Sequence, residues 1–245
     1  MHVLGSGPSS KHLRIPKASD LLADQIRARI ASGELAEGER LPGVAEMMAQ
    51  WNVGRPAVRE ALRILESESL VKVQRGNVGG AIVQLPSVSA AARSAALILH
   101  LENIPLRDIF ETRLILETGA AYRAAEIADG QVVDMLQTAL DDEAGLVDDA
   151  RAWAAAAVRF HEAVVRASGV RTAMLFSDMT SEIIEHHQTG FAAIPTRDVA
   201  EERRLASRSH AKLLRHIKAG EGERARKHWH AHIHEINCQA FPADS

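Results

Sequence analysis

Between residues 44 and 83 the spacing of apolar residues changes period, and that change admits few folds. Val44, Met47, Met48 and Trp51 mark one short helical stripe. Val58, Ala61, Leu62 and Leu65 mark a second, at i, i+3, i+4 and i+7. The tight turn Asn52-Val53-Gly54 separates the two stripes. Pro56 suits the opening of the second helix, where its missing N–H is not needed. Val71-Lys72-Val73 and Ala81-Ile82-Val83 then alternate with period two around the Gly-rich tip at 75–80.

Two short helices, a turn and a basic hairpin predict a winged helix-turn-helix over 19–84. A preceding helix is expected from about Asp20 to Ser32, with Ser19 as N-cap, Leu22, Ile26 and Ile30 on one face, and Gly33 closing it. Residues 34–42 read as a loop, and the Gly-, Ser- and Pro-rich start, 1–18, reads as an arm. Residues 85–89, with Pro86, read as a linker. Everything from 90 to 240 has helical period, with helices expected near 89–102, 106–128, 131–146, 149–167, 170–189, 198–219 and 222–240. The predicted fold class is therefore mainly α: the winged unit followed by an all-helical bundle.

A chain of 245 residues is long enough for two cores. The single cysteine, Cys238, forms no internal disulfide, which fits a reducing compartment. No apolar run reaches the length of a membrane span, and the start lacks the apolar core of a signal peptide, so a soluble, cytoplasmic protein is expected. Taken by itself, the net charge of −3 argues against nucleic-acid binding. The charge is uneven, however: residues 1–86 hold 11 Lys and Arg against 9 Asp and Glu, so the basic balance lies with the winged unit.

In such a unit the second helix of the pair can enter the major groove of double-stranded DNA, where guanidinium groups pair with guanine edges or phosphates. Arg55 and Arg59 share one side of that helix, and Arg75 sits at the hairpin tip. The segments LADQIRARIASGELAEGERLP (22–42), NVGRPAVREALRILESESLV (52–71) and RGNVGGAIV (75–83) resemble the GntR family of bacterial regulators. That resemblance implies operator contacts by Arg55, Arg59, Arg75 and Gly76. Relatives often carry a serine and a phosphate-contacting arginine where this chain has Gly43 and Ala45.

FETRLILETGAA (110–121), RFHEAVVRASG (159–169) and SHAKLLRHIKAGEGERARKHWHAHI (209–233) resemble the FCD effector domain of the FadR-type branch. The resemblance implies a helical bundle around a pocket, a small-molecule effector such as a carboxylate, and a homodimer on a palindromic operator. It also implies a divalent metal, Zn or Ni, on His161, His210 and His232, with Ala157 standing where relatives carry an Asp ligand. Without that Asp, two readings stay open: the histidines hold a metal, or they hydrogen-bond an anionic effector directly. Arg113 matches an arginine that can face the pocket and pair with a ligand carboxylate, and a surface salt bridge is the other reading.

In the run His228, His230, His232, His234, neighbours two apart point to different sides of a helix and cannot converge. His186 and His187 are candidates for the pocket wall, at most one of them facing in. The competing function is a metal-dependent hydrolase built on the C-terminal histidines. Val165 stands where an H-E-x-x-H motif needs its second histidine, so that motif is absent. A scaffold for protein partners, the third possibility, would have no need of the recognition-helix arginines.

Overall fold

The structure, a computed structural model, describes residues 16–74, 80–190 and 200–241, with 186–190 described by backbone alone. The chain divides into two compact units between Ser87 and Val88. None of the helices among the described residues is long and apolar enough to cross a membrane.

The first unit contains α1 (Ala18–Ala31), α2 (Val44–Trp51), α3 (Arg55–Ser67), β1 (Val71–Gln74) and β2 (Gly80–Val83). Leu22, Ile26 and Ile30 of α1 meet Met47 of α2 and Val58, Leu62 and Leu65 of α3 in one core, closed by Val71 and Val83. Asn52 ends α2 in the left-handed region, at φ 51°, a conformation its short polar side chain tolerates. The chain reverses there and re-enters helix at Arg55. Arg27 locks α1 to the end of α3, its Nε and Nη2 donating to the two oxygens of Glu68 at 2.9 and 2.7 Å.

Two local expectations are corrected. Ser19 is not the N-cap of α1: that place belongs to Lys17, and Ser19 is buried inside the first turn, where a small side chain fits. Residues 38–41 are also more than loop. Gly38 N donates to Val83 O, Val83 N to Glu39 O and Leu41 N to Ala81 O, each at 2.8 Å. The segment thus lies beside β2, joined to it by an isolated antiparallel bridge between Arg40 and Ile82, while β1 and β2 form the two-stranded sheet with Val71 opposite Val83.

The second unit holds α4 (Val88–Leu101), α5 (Leu106–Ile127), α6 (Gly130–Ala144), α7 (Ala150–Ala167), α8 (Arg171–Gly190), α9 (Ala200–Lys218) and α10 (Gly222–Ala240). Asp129 and Asp149 cap α6 and α7, accepting from Val132 N at 2.8 Å and Ala152 N at 3.0 Å. Central α5 packs against α7, α8, α9 and α10. Its Ala120, Ala121, Ala124 and Ala125 are buried, and residues this small let neighbouring helices come close on several sides. Phe160, Leu136, Leu213, Ile217, Trp229 and Ile233 fill the space around them. Against α5 and α8, α4 buries Ala92, leaving Leu97, Ile98 and Leu101 exposed at 58%, 55% and 69% on its other side.

Candidate functional site

In the first unit α3 presents its polar side to solvent. Burial of Val58, Ala61, Leu62 and Leu65 turns the helix so that Arg55 and Arg59 are exposed one turn apart. Neither makes an ion pair or side-chain hydrogen bond with another described residue. Arg63 continues the same stripe, one turn on, with Nη1 3.7 Å from Glu60. Gly43 caps α2 with backbone only: its N–H donates to the Glu46 carboxylate at 2.8 Å, half of a capping box. Ala45 is exposed in the first turn of α2. Arg75 and Gly76 lie outside the described residues.

In the second unit α7, α9 and α10 bring His161, His210 and His232 together in the interior, one candidate ligand atom of each lying within 4.8 Å of the others. Each comes from a core-facing register. His161 follows Phe160 on α7, His210 precedes Leu213 by one turn, and His232 adjoins buried Ile233 and follows Trp229. His210 Nε2 is 2.9 Å from His232 Nε2.

Two buried carboxylates stand behind these rings, and both lay hidden in the sequence. Glu117 Oε2 is 2.6 Å from His161 Nδ1 and accepts from Trp229 Nε1 at 3.1 Å, while Glu117 Oε1 accepts from Arg113 Nε at 2.7 Å. Glu143 Oε2 is 2.6 Å from His210 Nδ1, and Glu143 Oε1 accepts from the Ser207 hydroxyl, which in turn accepts from Trp153 Nε1 at 3.1 Å. Arg113 is therefore no surface salt bridge. It is largely buried against Glu117, and its guanidinium keeps four further N–H donors beyond the Nε used there.

The electrostatics favour neutral imidazoles at His161 and His232. Burial lowers His161 to about 4, overriding the opposing pull of Glu117. Burial, reinforced by His210 and His161, drives His232 lower still. For Glu117, burial acts to raise the pKa, but Arg113 and His161 outweigh it and hold the carboxyl well below the ordinary carboxylate range. A neutral His161 that donates Nδ1–H to Glu117 keeps its lone pair on Nε2. His210 Nδ1 faces Glu143 in the same way, which turns its Nε2 toward His232 Nε2, 2.9 Å away. His161 and His210, each backed by a carboxylate at Nδ1, turn Nε2 toward the cluster, and a divalent zinc, nickel or copper ion would replace the hydrogen bond between His210 and His232, so the donor set fits such an ion.

The cluster opens on a cavity of about 730 Å³, whose wall includes Arg113, Ala157, His161, Arg203 and His210. Trp153, Ala154, Val158 and Ile236 make part of it apolar, and Glu202 and Gln239 add polar groups. Within the helical run of histidines, His230 and His234 face outward with rings 6.0 Å apart, His228 is half-buried against Ser209, and only His232 joins the cluster. The backbone of α8 runs through His186 and His187, but their side chains lie outside the described residues.

Residues 18–79 match the family described as bacterial regulatory proteins, gntR family, and residues 108–235 match the FCD domain, which alone spans more than half of the chain. The chain belongs to the GntR family and carries an FCD domain. Its relatives include the HTH-type transcriptional repressor NanR of Citrobacter rodentium, 25% identical over 241 residues that cover 96% of this chain and 90% of that protein. NanR of Salmonella typhimurium is similarly 25% identical over 240 residues, covering 96% of this chain and 89% of its own. Among solved structures, a Streptococcus agalactiae GntR protein shares the fold with a TM-score of 0.66 at 22% identity, covering 89% of this chain and 98% of that one. The hydrolase alternative finds no support in these GntR relatives, which are named as repressors and not as enzymes.

Proposed function

We propose that the chain is an effector-responsive transcriptional repressor that binds a near-palindromic operator as a homodimer. The observation that carries this reading is the pair Arg55 and Arg59, exposed at the start of α3. By resemblance Arg75 and Gly76 complete the operator contacts from the hairpin tip. The relatives named as repressors support the direction of regulation. A single winged unit offers few base contacts, and two-fold pairing doubles them. Leu97, Ile98 and Leu101 form an exposed apolar strip on α4 that a second copy would cover.

The effector belongs in the cavity of the second unit, with Arg113 as its anion contact and a small carboxylate as its class. His161, His210 and His232 would hold a divalent metal, zinc or nickel. When bound, the ion supplies a fixed positive centre for a ligand oxygen. Glu117 and Glu143 fix the imidazole tautomers, and Arg113 balances Glu117.

Selection of genomic fragments by the full chain, followed by mobility shift, tests the function. The expected result is an enriched near-palindrome that the Arg55→Ala, Arg59→Ala double variant no longer selects. Recovery of no common sequence by the wild-type chain would overturn the reading.

A further inference from the structure

The entry end of α3 offers a base pair few neutral hydrogen-bonding groups. It reads Gly54-Arg55-Pro56-Ala57, and Gly54 caps the helix without a side-chain hydrogen bond. Pro56 stands two residues before buried Val58, a step of about 200° around the helix, so its ring points away from the core and is exposed. Arg55 adjoins it and Arg59 follows three residues on, so the ring lies beside both guanidiniums. Ala57 adds a half-buried methyl. Pro56 has no N–H, and the amides of Ala57 and Val58 both donate to Gly54 O, at 3.0 and 3.2 Å. Glu60, exposed one turn on, has a carboxylate oxygen 3.7 Å from Arg63 Nη1. This end of the helix therefore presents charge from two arginines and hydrocarbon from Pro56.

We propose that Pro56 reads the C5-methyl group of a thymine, so that each half-site is specified by a guanine through the arginines and by a neighbouring thymine through hydrocarbon contact. This rests on the operator-facing placement of α3 given under Proposed function. In the major groove thymine presents a methyl beside its O4 acceptor, whereas cytosine presents an N4 donor. A ring with no donor or acceptor leaves the cytosine amino group without a partner, which disfavours that base. Against thymine it buries the methyl, a contact that contributes about fourfold in affinity. A serine or threonine in its place would hydrogen-bond either edge and discriminate less. Pro56 and Arg59 are separated by about 4.5 Å along the helix axis. The step between bases is about 3.4 Å, so the thymine is expected next to the guanine that an arginine reads.

The test uses the full chain on the operator returned by genomic selection, with fluorescence anisotropy as the readout. Each thymine is replaced in turn by deoxyuridine, which pairs as thymine does and lacks only the methyl. At one thymine per half-site, beside a guanine, affinity should fall about fourfold, and about fifteenfold when both half-sites are changed. Where that thymine–adenine pair is replaced by cytosine–guanine, 5-methylcytosine should bind about fourfold more tightly than cytosine. In Pro56→Ser the difference between thymine and uracil should vanish. In Arg55→Ala it should persist on a weaker complex, which separates the methyl contact from a general loss of affinity. A wild-type chain that binds equally well with uracil at every thymine would overturn the methyl contact and leave operator recognition standing. A loss on uracil that is the same in Pro56→Ser would assign the methyl to another residue and overturn the role of Pro56. A wild-type chain that selects no common sequence would overturn operator recognition, and the methyl contact with it. The uracil series on the wild type needs no substitution, so it decides even if Pro56→Ser folds poorly.

Discussion

Glu143 and His210 meet at 2.6 Å where neither is open to solvent, at 0% and 1% exposure, although 67 residues separate them in the chain. The contact fixes which nitrogen of His210 remains for a ligand. Glu143→Gln keeps the shape and removes the charge that anchors Nδ1–H. Zinc affinity should fall by about 10- to 100-fold, the usual effect of losing a hydrogen-bond partner behind a metal ligand. Indicator competition measures it, and an unchanged affinity would show that the carboxylate has only a packing role.

Arg55 and Arg59 are exposed, so their removal should leave folding intact while weakening recognition. Each base contact contributes about 1–3 kcal/mol of discrimination, and each phosphate contact adds about 0.9 to the slope of log affinity against log salt. Fluorescence anisotropy on the selected operator should show Arg55→Ala and Arg59→Ala each losing specificity, with a melting temperature equal to that of the wild type. Unaltered operator affinity in the double variant would remove α3 from the interface.

Leu97 and Leu101 lie one turn apart on the exposed side of α4. Replacing both by Glu places charge where a second copy would sit, at little cost to a monomer that already exposes these positions. Light scattering at micromolar concentration should then report a monomer, with operator affinity reduced by about tenfold or more. A dimer of wild-type stability would exclude this strip from the contact.

His228 carries a pH dependence that can be isolated. Burial lowers its pKa below 6.5, partly opposed by its bond to the Ser209 carbonyl, while Lys212, His216 and His210, all on α9, act with burial. The native chain therefore takes up the proton later than the unfolded chain as pH falls. Its contribution to stability is whole above about pH 6.5 and is lost progressively below it. His228→Gln removes this titration, so melting temperature should drop less between about pH 8 and about pH 5.5 than in the wild type. Equal drops would assign the acid sensitivity to other groups.

The long helices of the second unit were legible because runs such as Leu213, Leu214 and Ile217 repeat the 3.6-residue period over many turns. The bridge that the segment 38–41 makes was not, since so short a stretch shows no alternation and its partner, β2, is some forty residues away. The three histidines were reached through resemblance. Glu117 and Glu143 were missed because a helical glutamate ordinarily reads as solvent-facing. A signal was nonetheless present: Glu117 is one turn past Leu114 and one turn before Ala121, and Glu143 is two turns past Leu136, so both sit in core register. An acid at an apolar position of a helix that buries its neighbours implies a buried partner. Here each acid has a histidine partner more than forty residues away, and Glu117 also has Arg113 one turn before it.

His230 and His234, stacked on the outer side of α10, form the kind of i, i+4 pair that immobilised nickel grips. The untagged chain is thus expected to stay on a chelating resin by its outside, whatever its interior holds. Ions on that rim would exchange within a wash, whereas an ion held by buried His161, His210 and His232 would leave more slowly, by way of the cavity that His161 and His210 line. Total metal content would mix the two populations. Residence time under a brief chelator challenge separates them, so the interior ion is recognised by how slowly it departs.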